Sequence, residues 1–332
     1  MASASQIKAL LLSHIEGDES RFYATAMQLA AAEARKGHEN VAVEIRKIID
    51  QARSSQTLLP SHRTPTALVR PNKEISDLLT VSYPLVNLRD MTLSDSLSSS
   101  LKRLLEEQRN IEKLKSHGLN PRRKILFTGA PGSGKTMAAS AIAGELKMPL
   151  FIMRLDGLIT RFMGESIAKL RLIFDSIQNT RAVYLFDEFD SIGSHRGITN
   201  DVGEIKRVLN SFLMYIENDE SDSIIIAATN HPQSLDFALF RRFDELLEFS
   251  LPSVAQIKRF FKSRLHPLTL TNVEIKELTE SAFGLSFADI AIACDDAVKN
   301  AILNDSEVLN VSELLNSLTA RSSFHSRYSR SK

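Results

Sequence analysis

A single cysteine stands in the 332 residues of this chain. One thiol makes neither an intrachain disulfide nor a cysteine zinc cluster, which suits a reducing compartment. It closes the apolar run Ile290-Ala291-Ile292-Ala293-Cys294 and reads as a packed core group rather than a nucleophile. No stretch approaches the roughly 20 consecutive apolar residues of a membrane span. The N-terminus lacks the basic-then-apolar profile of a secretory signal. Together these predict a cytoplasmic protein with no membrane partner. Lys and Arg number 41 against 40 Asp and Glu, a net charge of +1, so no overall field draws the chain to nucleic acid. There is no internal repeat and no His-Glu-x-x-His, so any proteolysis would have to come from another chain. What remains is ordinary for a soluble protein, 43% hydrophobic and 24% charged, and long enough for two or three domains.

Helical stripes mark the first part. Ile7, Leu10, Leu11 and Ile15, then Phe22, Ala26, Leu29 and Ala30, then Val41, Ile45, Ile48 and Ile49 predict a three-helix bundle over 1–54, either a small packed domain or a dock for a protein substrate or an adaptor. Pro60, Pro65 and Pro71 lie in a polar, aperiodic stretch, a linker over 55–80. From 81 to 252 continuously apolar runs alternate with helical stripes: Ile125-Leu126-Phe127, Leu150 to Leu155, Ala182 to Phe186, Ile224 to Ala228 and Leu246 to Phe249. That pattern predicts an α/β domain with a parallel sheet covered on both faces. One helix is expected from Leu93 to Ser116. Residues 253–320 read as all helical, and 321–332, basic and serine-rich, as a disordered tail.

The chemistry concentrates in Gly129-Ala130-Pro131-Gly132-Ser133-Gly134-Lys135-Thr136. This loop follows an apolar strand and precedes an alanine-rich helix opened by Met137, the context a phosphate-binding loop requires. The glycines let successive backbone N–H groups converge on phosphate oxygens, and the helix N-terminus adds the positive end of its dipole. Lys135 would reach the β- and γ-phosphates of ATP and the Thr136 hydroxyl would ligate Mg²⁺. Asp187-Glu188 ends an apolar strand; the first carboxylate suits Mg²⁺ and the second a water attacking the γ-phosphate, unless the two acids simply cap the next helix. Asn230 closes the following strand at the carboxyl edge, where parallel sheets bind ligands, and read alone would be a turn residue. Arg241 and Arg242 either sit on solvated surface or stabilise charge on a transferring phosphoryl group.

These segments, with Leu235 to Asp244 and Gly284-Leu285-Ser286-Phe287-Ala288-Asp289-Ile290, stand in the order and spacing of AAA ATPases. Residues 81–320 resemble the single-ring members that remodel proteins, such as severing and ESCRT-disassembly enzymes and the ATPase modules of membrane proteases. The resemblance implies a homo-oligomer, a hexamer, with Lys135 and Thr136 as Walker A, Asp187 and Glu188 as Walker B and Asn230 as sensor 1. Arg241 and Arg242 would act on the adjacent protomer's ATP. It also implies a pore loop at Arg161-Phe162-Met163-Gly164-Glu165, whose Phe162 and Met163 would grip an extended polypeptide, with a second at 193–197. Phe287 stands where relatives carry a glycine near the adenine. Two other readings stay open: an adaptor serving a separate protease or effector, and a nucleic-acid-dependent ATPase, which the near-neutral charge and apolar pore residues disfavour.

Overall fold

A computed structural model describes residues 78–155, 165–192, 201–235, 237–265, 272–304 and 310–329. The expected bundle, most of the linker, residues 161–164 of the first pore loop (Phe162 and Met163 included) and the second pore loop lie outside the described residues.

Six strands form one sheet: β1 (Leu79–Ser82), β2 (Lys124–Gly129), β3 (Leu150–Arg154), β4 (Val183–Asp187), β5 (Ile224–Thr229) and β6 (Glu245–Phe249), in the order β1-β3-β4-β5-β2-β6. The expected apolar runs are β2 to β6, paired in parallel. β1 departs from the expectation: it begins within the stretch read as linker and pairs antiparallel with β3, Leu79 opposite Met153. An edge strand of four residues, of which only Leu79 is buried, carries too little apolar signal to stand out from a linker.

Helices cover both faces. Alternate residues of β4 point opposite ways: Val183 and Leu185 join the core made with α1 (Asp95–Arg109) and α3 (Lys135–Leu146). Phe186 packs with Phe174 of α4 (Ser166–Asn179) and Phe212 of α5 (Asp201–Asn218), the ring of Phe212 edge-on at 5.0 Å. The helix expected from Leu93 to Ser116 is broken at Asn110, whose side chain donates to the Glu106 carbonyl at 2.8 Å, and resumes as α2 (Ile111–Ser116). Asparagine competes in this way for helical backbone groups.

A short helix, α6 (Phe237–Phe240), precedes β6. Beyond β6, α7 (Val254–Arg264), α8 (Asn272–Ser281), α9 (Phe287–Leu303) and α10 (Val311–Ser329) share a second core in which Cys294 is fully buried. Burial pushes its thiol up to about 12, so it is inert packing, as expected. α10 runs through most of the segment read as a disordered tail. Leu314 and Leu318 anchor it in that core and Arg321 reaches Asp296 at 3.6 Å; a polar composition says nothing of such anchoring.

Candidate nucleotide-binding site

The loop 129–134 joins β2 to α3 at the carboxyl edge of the sheet. Ser94, Ser253 and Ser286 cap α1, α7 and α9 through their side chains, whereas α3 starts at Gly134 (φ 104°) with no side-chain cap. Its first-turn N–H groups and its dipole are therefore open to an anion. The Ser133 hydroxyl is buried with no hydrogen-bond partner among the described residues. An unpaired buried hydroxyl costs stability and suits a site that gains its partner on binding. Pro131 and Met137 are exposed beside it.

Lys135 is almost fully buried, and its ammonium donates to the carbonyls of Gly129 (2.7 Å) and Ala130 (2.9 Å) and to Asn230 Oδ1 (2.8 Å). All three ammonium protons are thus engaged. Burial lowers its pKa from the usual lysine value, and Asp187 and Asp190 act in the opposite direction. The Thr136 hydroxyl donates to Asp187 Oδ2 at 3.0 Å. A hydroxyl beside a carboxylate, with no cluster of three or more acid, His or Cys ligands among the described residues, fits Mg²⁺. That ion keeps waters and takes its remaining oxygens from phosphates.

Glu188 follows with φ 55°, a left-handed conformation unusual for a side chain with a Cβ. Its N–H donates to Asp187 Oδ1 at 2.9 Å, which steadies the turn. Its carboxylate accepts from Arg154 Nη2 at 3.0 and 3.1 Å. Arg154 ends β3 in register with Asp187. The pair is well exposed, so breaking it costs little, ~0–1 kcal/mol, and Glu188 is held aside without being locked. The sequence reading passed over Arg154; its one signal was a charge ending an apolar strand at this edge. Asp190 was missed as well. Its Oδ1 accepts from the Thr229 hydroxyl (3.2 Å) and the Asn230 N–H (3.1 Å).

The α9 segment closes the site from the helical domain. Ser286 and Asp289 form a reciprocal capping box, and the Ala288 N–H donates to the Gly132 carbonyl at 3.1 Å. Gly132 (φ 72°) is required here, because a Cβ would lie 2.5 Å from Ser286 Oγ. Phe287 packs on Phe260 of α7, ring centroids 5.4 Å apart.

Arg241 and Arg242 lie elsewhere. In the parallel pair of β2 and β6, Glu245 sits opposite Ile125 and Phe249 opposite Gly129. Asp244 accepts at 2.9 Å from the N–H groups of Arg123 and Lys124, the amino end of β2. From Lys124 to Gly129 is about 16 Å at the ~3.3 Å rise of a parallel strand. The arginine pair precedes even Asp244, so it stands at the opposite end of the sheet from its own phosphate loop. There Arg242 pairs with Glu217, at the end of α5, at 3.2 Å.

Nucleotide-loop geometry of this kind defines a P-loop ATPase, and comparison with known proteins gives the class its name. The family "ATPase family associated with various cellular activities (AAA)" matches residues 125–251. The AAA family ATPase y4kL of Sinorhizobium fredii is 34% identical over 91% of this chain and 90% of its own length. The peroxisomal ATPase pex6 of Schizosaccharomyces pombe is 31% identical over 75% of this chain, and the ATP-dependent zinc metalloprotease FtsH of Neorickettsia risticii 32% over 68%. The match spans only 27% and 36% of those two proteins. The FIGL-1 AAA domain shares the fold, with a TM-score of 0.61 at 21% identity over 78% of this chain and 92% of its own. The chain belongs to the AAA family and is an ATP-binding ATPase.

Proposed function

We propose that this ATPase assembles into a ring, a hexamer, and uses Mg²⁺-ATP hydrolysis at the seams between its copies to thread, unfold or disassemble protein substrates. The observation that carries the proposal is the separation of Arg242 from its own phosphate loop by the length of β2. An arginine side chain cannot span that distance. A guanidinium that serves triphosphate chemistry from this position acts on a neighbour's ATP. Pairing with the half-exposed Glu217 holds it ready at low cost.

In this reading Gly129 to Met137 cradle the triphosphate and Lys135 moves from its carbonyl partners to the phosphates. Thr136 and Asp187 hold the Mg²⁺, which neutralises charge on the phosphates when bound. Glu188, released by Arg154, takes the proton of the attacking water, and Asn230 orients that water or the γ-phosphate. Phe162 and Met163 grip the substrate polypeptide inside the ring, and residues 1–54 dock it or its adaptor. A protein substrate is favoured by a relative named as an ATP-dependent zinc metalloprotease. These 332 residues hold no His-Glu-x-x-His, so coupling to proteolysis of that kind would draw on a zinc-protease motif outside them. Among the described residues no helix is long and apolar enough to cross a membrane.

Electron microscopy of Glu188→Gln with ATP tests assembly: closed rings are expected, and persistence as single copies with nucleotide bound would refute them. Phe162→Ala tests threading. It should keep basal ATP turnover within about twofold, the range of a change remote from the chemistry, while ATP-driven unfolding of a tagged substrate is lost. Unfolding at the unaltered rate would remove Phe162 from the role of gripping substrate.

A further inference from the structure

We propose that Asp190 is a positioning residue for ATP hydrolysis, holding Asn230 against Lys135 by bonding the end of β5 beyond the reach of the sheet. The inference rests on the reading of Asn230 as the group that orients water or γ-phosphate.

The ladder between β4 and β5 ends at Phe186 opposite Ala227, and that between β2 and β5 at Thr128 opposite Thr229. Asn230 therefore lies past both ladders, where no strand neighbour fixes it. Asp190 supplies what the sheet no longer does. It sits in the 3₁₀ turn Phe189–Ile192 directly after β4, and Phe189 anchors that turn, fully buried with its ring 4.9 Å from Phe212. From there one oxygen, Oδ1, receives both the Thr229 hydroxyl at 3.2 Å and the Asn230 N–H at 3.1 Å. Thr229 is fully buried, and its hydroxyl oxygen in turn accepts the His231 N–H at 3.0 Å. The Asn230 N–H is thus tied directly to one carboxylate oxygen, and the His231 N–H indirectly, through the Thr229 hydroxyl. The Asn230 side chain then meets Lys135 at 2.8 Å. Among the described residues the hydrogen bonds of Asp190 lead toward the phosphate loop through Thr229 and Asn230, so it acts on the chemistry by positioning those partners. Its charge also favours the protonated form of Lys135, a smaller influence that can be separated by substitution.

The separation uses Asp190→Asn, whose side-chain carbonyl oxygen can accept both bonds without the charge, and Asp190→Ala, which can accept neither. ATP turnover and fluorescent-ATP affinity of the full chain are measured for both, for Asn230→Ala and for Asp190→Ala/Asn230→Ala, with Tm recorded throughout. Asp190→Ala is expected to lower kcat about tenfold, the worth of about one lost orienting interaction, with KM and nucleotide affinity within about twofold. Asp190→Asn should recover most of that loss, and the double variant should be no slower than Asn230→Ala. Asp190→Ala at the unaltered kcat, an Asp190→Asn as slow as Asp190→Ala, or losses that multiply in the double variant would each overturn the proposal. If Asn230→Ala alone turns over normally, the role given to Asn230 is what fails, and the positioning argument falls with it.

Discussion

Glu188→Gln will bind ATP as the unaltered protein does and hydrolyse it about 10²–10⁴-fold more slowly. The carboxamide matches the carboxylate in shape, so the left-handed turn at residue 188 and its bond to Asp187 are kept. The Thr136–Asp187 contact and the buried Lys135 are likewise untouched, and these groups bear on binding. What is lost is a group able to accept the proton of the attacking water. Affinity for a fluorescent ATP analogue and single-turnover hydrolysis on one preparation separate the two effects. Normal turnover in this variant would remove Glu188 from the role of base.

Arg242→Ala will lower turnover by about 10³-fold or more while leaving ATP affinity intact, because an arginine supplied across an interface serves the transition state rather than the bound ground state. Glu217 loses its partner but is itself half-exposed, so folding should change by less than about 1 kcal/mol. The position of Arg242 at the far end of β2 makes a stronger prediction. Two inactive variants, Arg242→Ala and Glu188→Gln, should regain activity when mixed. A seam pairing the phosphate loop of the first with the arginine of the second has every part, and random one-to-one mixing in a head-to-tail ring gives about a quarter of such seams. No recovery on mixing, or full-rate hydrolysis by a preparation shown to be monomeric, would refute action across a seam.

The placement of the carboxylates and the lysine at one edge of the sheet was legible in the sequence because each part is a short segment with its own local physics. An apolar strand, a glycine-rich turn and a helix start bring Gly129 to Thr136 together whatever else the chain does. Asp187-Glu188 and Asn230 announce themselves as polar residues ending apolar strands. The pattern Ser286-Phe287-Ala288-Asp289 has a local explanation too, a capping box at the start of α9. Arg154 and Asp190 were not legible. Arg154 ends an apolar strand as Asp187-Glu188 and Asn230 do, but nothing in the sequence points to its partner: the contacts of Arg154 and Asp190 join residues 34 to 40 positions apart. The antiparallel β1 and the continuation of α10 escaped for a related reason, since each is held by distant apolar partners rather than by its own pattern.

Order along the chain by itself determined the class of fold, the phosphate loop and the acid pair, because those depend on hydrophobic period and on turn chemistry over a few residues. Tertiary structure alone decided where Arg242 stands. Strand pairing sets the register of β6 against β2, and only that register turns two adjacent arginines away from their own ATP site. It also decided which partners the proposed catalytic groups meet: Glu188 meets Arg154, and Asn230 lies between Asp190 and Lys135. Such bonds are a matter of three-dimensional distance, which linear spacing does not encode.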